Sequence, residues 1–251
     1  MRNVRILLTY DGTQFYGWQR QDGFLTVQEA VEDALLAVEH RPVSIVGSGR
    51  TDTGVHALGQ VAHVHLETPL DDNRLLHALN AHLPEGVTAL ALETCDDGFH
   101  AQKSARGKRY LYRVELSRFR TPHNRKRAHW TPHAPDVPAM RRAARYLIGE
   151  HDFSALASAG SPRKSNVRRV TALHVLRRRP GLIFVVQGNG FLYNMVRAIA
   201  GTLLEVGRGK LEADAMGEIL ASRDRAQAGP TAPPEGLYLW RVLYGEPCFG
   251  A

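Results

Sequence analysis

The segment Gly47–Ala57, GSGRTDTGVHA, is followed by Gly59–Leu66, in which Ala62, Val64 and Leu66 fall on every second position. Spacing of this kind marks a strand with one apolar face. A glycine-rich loop that enters a strand differs from the two common phosphate-binding motifs, both of which open a helix, and it lacks the Lys-Ser/Thr ending of one and the GxGxxG of the other. The rest of the chain alternates freely between periods. Val4–Tyr10 is a β-rich run closed by Asp11-Gly12, and Thr26 with Glu29 forms a capping box ahead of Val27, Val31, Ala34, Leu35 and Val38 at helical spacing. Arg74–Leu83 reads as a helix stopped by Pro84, and Val87–Leu92 as a strand. Tyr110, Tyr112, Val114 and Leu116 alternate as a strand with both tyrosines on one side. Helical spacing returns at Pro138–Ile148 and at Leu192–Val206, where Met195, Ile199 and Leu203 form one stripe. Arg168–Leu176 and Leu182–Gln187 read as a hairpin turned at Arg179-Pro180-Gly181. Without strict βαβ alternation, the order predicts an α+β fold: two lobes with a largely antiparallel mixed sheet flanked by helices, and an active-site cleft between them.

Charge divides the chain in the same way. Residues 1–100 hold six arginines and no lysine against 14 acidic residues, a net of −8, within a total of +7. From Lys103 to Arg179 there are 20 basic residues against only Glu115, Asp136, Glu150 and Asp152, with Tyr110, Tyr112, Phe119, Trp130, Tyr146 and Phe153 interleaved. A bias this local favours a phosphate-backbone footprint over a merely solvated face. The switch near residues 100–108 predicts lobes of 1–104 and 105–251, the first carrying the glycine loop and the second the basic arm.

Within the loop, Asp52 is the sole carboxylate, flanked by Arg50 and His56. Asp beside Gly often makes only a turn. Arg197 lies among apolar residues of its helix and needs an anionic partner, for which Asp52 is a candidate. His63 and His65 have a spacing that can serve a metal, but no HExxH or third ligand accompanies them, so no metal is expected. Cys95 and Cys248, the only cysteines, form no CxxC, and a disulfide framework or structural zinc is not expected. No run reaches the length of a membrane span, and the start, MRNVRILLTYDG, is too short in apolar residues for a signal peptide; the expected compartment is the cytoplasm.

The motifs taken together resemble the TruA-type tRNA pseudouridine synthases. YDGTQFYGWQRQ (Tyr10–Gln21) is similar to the N-terminal motif of that family, GSGRTDTGVHALGQVAH (Gly47–His63) to its catalytic loop, and ALNAHLP (Ala78–Pro84) to the segment that follows. FHAQKSARGKRYLYRV (Phe99–Val114) resembles its tyrosine strand, GEHDFSAL (Gly149–Leu156) a later signature, GNGFLYNMVRAIAGTLLEVGRGK (Gly188–Lys210) its arginine helix and APPEGLYLWRV (Ala232–Val242) its C-terminal block. The resemblance implies isomerisation of uridine to pseudouridine in the anticodon stem-loop of tRNA, by a homodimer that needs no cofactor. It makes Asp52 the catalytic aspartate, Arg197 the basic residue serving it, and Tyr110 the aromatic that packs on the target base. Arg50, His56 and Leu237 would contact the substrate. The basic arm supplies Arg125, Lys126, Arg127, Lys164, Arg168 and Arg169 as candidate RNA contacts. Two positions depart from the family pattern: Ser48 stands where alanine is commoner, expected to be harmless, and Gln102 replaces the usual arginine, so that one RNA or active-site contact which the resemblance implies does not carry over to this position. Two other readings remain: a noncatalytic RNA-binding protein on the same basic face, against which the joint setting of Asp52, Tyr110 and Arg197 speaks, and an acid/base hydrolase built on Asp52 and His56, which would require a water-activating partner that is not evident.

Overall fold

The computed structural model describes residues 1–158, 165–245 and 248–249. Its elements in chain order are β1 (Arg2–Tyr10), α1 (Val27–Glu39), β2 (Val46–Gly47), β3 (His56–Leu66), α2 (Asp72–His82), β4 (Val87–Thr94), β5 (Gly107–Leu116), β6 (His129–Thr131), α3 (Val137–Arg145), β7 (Gly149–Asp152), β8 (Val167–Arg178), β9 (Gly181–Gly188), α4 (Met195–Gly207), α5 (Ala215–Ser222) and β10 (Leu237–Leu243). Short 3-10 turns complete the connections. The class is α+β, as the mixed periodicity predicts.

The chain divides into two compact units, one of Met1–Arg106 with Tyr238–Ala251 and one of Gly107–Leu237. This corrects the simple division after residue 104. Tyr238 and Leu239 pair in parallel with His56 and Ala57 of β3, so the last strand joins the first unit through its backbone. A parallel pairing between residues this far apart leaves no local sequence signal.

In the first unit β1 lies between β4 and β3, antiparallel to both, with Ile6 opposite Ala62 on one side and Leu92 on the other. Val4, Ile6 and Leu8 are fully buried at alternate positions. The apolar stripe of α1, Val27, Val31 and Leu35, is buried as well, as are Leu75 and Leu79 of α2. Helix starts are set locally. The Thr26 hydroxyl accepts the Glu29 N–H at 3.3 Å, and the Asp71 carboxylate accepts the Arg74 N–H at 2.8 Å.

The second unit runs β5-β9-β8-β7 with antiparallel neighbours, and β6 pairs β5 in parallel. The predicted hairpin is β8–β9. Helices α3 and α4 pack on each other, α3 also against β8 and α4 against β5. Helix α4 is apolar nearly all round, and its Met195, Ile199 and Leu203 are buried with no measurable exposure. It starts three residues later than its periodicity suggests, because Asn194 takes a left-handed conformation (φ 59°) that ends the preceding loop.

Candidate active site

Asp52 sits in the turn between β2 and β3, and the neighbouring chain segment holds that turn main chain to main chain. Trp18 N–H donates to the Thr51 carbonyl at 3.0 Å, Gly54 N–H to the Phe15 carbonyl at 3.4 Å, and Val55 N–H to the carbonyl of Asp52 itself at 3.0 Å. Such close approach needs glycine on the facing segment. A Cβ on Gly12 would stand 2.1 Å from the Val55 oxygen, and one on Gly17 would stand 2.5 Å from the Thr51 oxygen at a φ of +84°. The motif that begins at Tyr10 is therefore the backing of the Asp52 turn.

Under the turn lies a buried polar chain. Ser48 Oγ donates to Gln60 Oε1 at 2.7 Å, Gln60 Nε2 donates to the Gly49 carbonyl at 2.8 Å, and the Tyr10 hydroxyl is 2.8 Å from Thr51 Oγ1. Burial, against the opposing hydrogen bonds of Thr51 and Gln60, leaves the Tyr10 hydroxyl pushed up to about 12. Serine at position 48, expected to be harmless in this loop, is accommodated with its hydroxyl hydrogen-bonded. Ser48→Ala removes a donor to a fully buried amide oxygen, and an acceptor orphaned in this way costs about 1–3 kcal/mol. Chemical denaturation of the variant should show that loss; stability within about 0.3 kcal/mol of the parent protein would show that the hydroxyl is dispensable.

His56 is buried and stacks on Tyr238 with ring centroids 4.5 Å apart. Its Nδ1 lies 3.1 Å from the Gly12 N–H and 3.2 Å from Asp11 Oδ1. The nitrogen accepts from Gly12 when the ring is neutral at that position and donates to Asp11 when protonated there. Arg50 is exposed, its Nε donating to Gln19 Oε1 at 3.0 Å. His63 lies at 4.7 Å from the His100 ring and accepts the Ala101 N–H at 3.2 Å; burial, with His100 adding to it, holds its pKa below the ordinary histidine value. Among the described residues no set of three or more His, Cys, Asp or Glu side chains is placed to hold a metal.

Tyr110, Arg197 and Leu237 belong to the second unit. Tyr110 is buried on β5 opposite Val186 and meets the edge of Phe191 at 5.2 Å and 86°. Tyr112, two positions on, is fully buried and donates its hydroxyl to the Pro233 carbonyl at 2.8 Å; burial raises its pKa strongly. The two tyrosines thus divide by their partners, Tyr112 tied by its hydroxyl to the Pro233 carbonyl and Tyr110 packed against the Phe191 ring. Arg197, in the first turn of α4, donates Nε to the Ala232 carbonyl and Nη1 to Asn194 Oδ1, both at 2.8 Å. Two carbonyl-type acceptors from separate segments fix the plane of the guanidinium. Leu237 is buried at the start of β10.

Of the candidate RNA contacts, Arg125, Lys126 and Arg127 are exposed after a 3-10 turn at Pro122–Asn124. Arg168 Nη1 reaches the carbonyls of Ser165 and Val167 at 3.0 and 2.7 Å, and Arg169 pairs with Glu150 at 3.1 Å. Lys164 lies outside the described residues. Residues that contact the candidate residues without a local signal in the sequence are Trp18, Gln60 and Tyr238 in the first unit and Phe191 and Asn194 in the second. Their only advance sign was membership of the blocks that carry the family resemblance.

The tRNA pseudouridine synthase family profile matches residues 6–102 and 143–245 of this chain. The chain belongs to the tRNA pseudouridine synthases. Proteins named tRNA pseudouridine synthase A are similar over nearly the whole length: one from Acetivibrio thermocellus is 45% identical over 244 residues, covering 97% of this chain and all of that protein. The protein of that name from Bacillus pumilus is 46% identical over 96% of this chain and 98% of its own length. A third, from Shouchella clausii, is 44% identical over 99% of this chain and 96% of its own. Within this tRNA pseudouridine synthase, Asp52 and Arg197 fall inside the two matched stretches, and Tyr110 with the Arg125–Arg127 cluster lies between them. No helix among the described residues is long and apolar enough to cross a membrane.

Proposed function

We propose that this tRNA pseudouridine synthase isomerises uridines of the anticodon stem-loop, with Asp52 as the catalytic carboxylate, Arg197 as the basic residue serving it and Tyr110 as the face on which the target base stacks. The observation that carries this is the Asp52 turn: the one carboxylate of a glycine-rich loop, held by main-chain bonds from Trp18, Gly54 and Val55 while its side chain remains partly exposed. The reaction breaks the C1′–N1 bond, turns uracil over and joins C5 to C1′. A rigid, ionised carboxylate can serve it as nucleophile or as base toward the sugar. Nothing is oxidised, reduced or hydrolysed, and no cofactor enters the balance. A stacked base is out of reach of any of these groups, so the uridine must be flipped out, and an aromatic face compensates for the lost stacking. We place the enzyme in the cytoplasm as a homodimer, in keeping with the resemblance that the sequence carries. Incubation of the protein with unmodified tRNA in EDTA, followed by chemical mapping, should reveal pseudouridine in the anticodon arm; tRNA recovered unmodified, or modified only elsewhere, would contradict the assignment.

The basic arm has its own test. If the exposed Arg125-Lys126-Arg127 cluster binds phosphates, tRNA affinity should fall steeply with salt, and neutralising all three residues should flatten that dependence by about 0.7 in log–log slope for each phosphate of single-stranded RNA that the cluster no longer neutralises. Single-turnover rates at saturating tRNA should stay near those of the parent enzyme. An unaltered slope would move the footprint to Arg141, Arg142, Lys164, Arg168 and Arg169.

A further inference from the structure

Lys108 lies on β5 two positions before Tyr110, so their side chains leave the same face of the strand. Its cross-strand partner is Gly188, which offers no side chain of its own. Phe191 fills that space, its Cζ lying 3.2 Å from where a Cβ on Gly188 would stand, and the same ring meets Tyr110 at 5.2 Å. The lysine therefore shares its strand face with the aromatic pair that Tyr110 and Phe191 make.

Its surroundings do not account for it. Burial pulls the Lys108 ammonium below the ordinary lysine pKa, and no neighbouring charge or hydrogen bond acts against that shift. Among the described residues Nζ takes part in no hydrogen bond or ion pair. A half-buried ammonium with no partner among the described residues weakens a fold, and an unbranched apolar side chain would fill the same space without that cost. Such a group in the neighbourhood of a reaction site marks a place where a counter-charge arrives with the ligand.

We propose that Lys108 binds a backbone phosphate of the RNA strand next to the uridine that stacks on Tyr110. The inference rests on the tRNA pseudouridine synthase reading above, and it names a substrate-binding residue that the motif-level resemblance did not assign. A lysine is suited to this task, because its ammonium acts as a compact point charge on a flexible stem and needs no fixed fork geometry.

The test uses the full-length protein and a stem-loop RNA carrying the target uridine, in two forms: unmodified, and with single neutral methylphosphonates at the phosphates flanking that uridine. Lys108→Met should melt at or above the temperature of the parent protein, bind the unmodified RNA about tenfold more weakly, and show a salt slope shallower by about 0.7. Lys108→Arg should recover most of the affinity. One flanking methylphosphonate should weaken the parent protein by a comparable factor and leave Lys108→Met almost unaffected, the coupling expected of two groups in contact. Parent-like affinity and slope in Lys108→Met, or equal weakening of both proteins by every flanking methylphosphonate, would overturn the proposal. Should the methionine variant fail to fold, the parent protein alone decides: no loss of affinity at any flanking methylphosphonate refutes the phosphate contact. Failure of the parent protein to make pseudouridine in the unmodified RNA would instead strike the functional reading itself.

Discussion

Asp52→Asn should remove pseudouridine formation, by at least about 10⁴-fold in kcat, while tRNA affinity stays within about threefold. The substitution preserves size and shape, and it leaves the main-chain bonds that hold the turn, Trp18 to Thr51, Gly54 to Phe15 and Val55 to residue 52, with the same donors and acceptors. The polar chain beneath, from Ser48 through Gln60 to Gly49, does not use the residue 52 side chain. What the amide lacks is a carboxylate's negative charge and basicity. A folded, sequence-verified Asp52→Asn protein with substantial turnover would show that another group carries the chemistry.

Arg197→Met should reduce kcat by about 10²–10³-fold, the loss seen when one preorganised donor is taken from a reacting centre. It should also move the acid limb of the pH–rate profile to higher pH. The sign follows from electrostatics. If Arg197 serves Asp52 as proposed, loss of its charge disfavours the ionised carboxylate, and activity should then fall away at a higher pH as the medium is acidified. The guanidinium bridges Asn194 and the Ala232 carbonyl, so part of any loss could come from a shifted loop. Arg197→Lys separates the two effects: it keeps a cation but not the two-armed fork, and should hold the acid limb near its original position even where kcat drops. Coincident profiles for the parent enzyme and Arg197→Met would remove the arginine from the account of ionisation.

Local pattern made much of this fold legible. The capping pair Thr26 and Glu29 marked the start of α1, alternation through Tyr110 and Tyr112 marked β5, and Arg179-Pro180-Gly181 marked the β8–β9 hairpin, because each signal lies within a few residues of the feature that it specifies. Elements specified by distant partners were not legible. β10 pairs with β3 from the far end of the chain, β6 pairs in parallel across a loop, and β7 is a four-residue polar strand that begins at a glycine with φ +120°. Helix α5 escaped for a different reason: at eight residues, without a side-chain hydrogen bond at its N-cap, it carries little periodicity. Helix α3 ends at Arg145, before the predicted Ile148, and gives way to a turn that leads into β7.

The candidate site divides along the same line. Asp52 stood out as the single acid among loop glycines, whereas the reason for Gly12 and Gly17 emerges only where two segments some forty residues apart come into main-chain contact. The partner of Ser48 was not legible either, because the buried Gln60 that accepts from its hydroxyl lies 12 residues away. Charge composition found the basic arm but not Lys108, which counts toward the same total as the exposed lysines and differs from them only in its burial.

Release of tritium from tRNA labelled at C5 of uridine tests the central claim most directly, because joining C5 to C1′ must displace the hydrogen that C5 carries. With EDTA present and enzyme in excess, the parent protein should release the label of each modified uridine into water, and Asp52→Asn should release none above the protein-free control. Release by both proteins at similar rates, or by neither, would contradict an isomerase whose chemistry resides in the Asp52 turn.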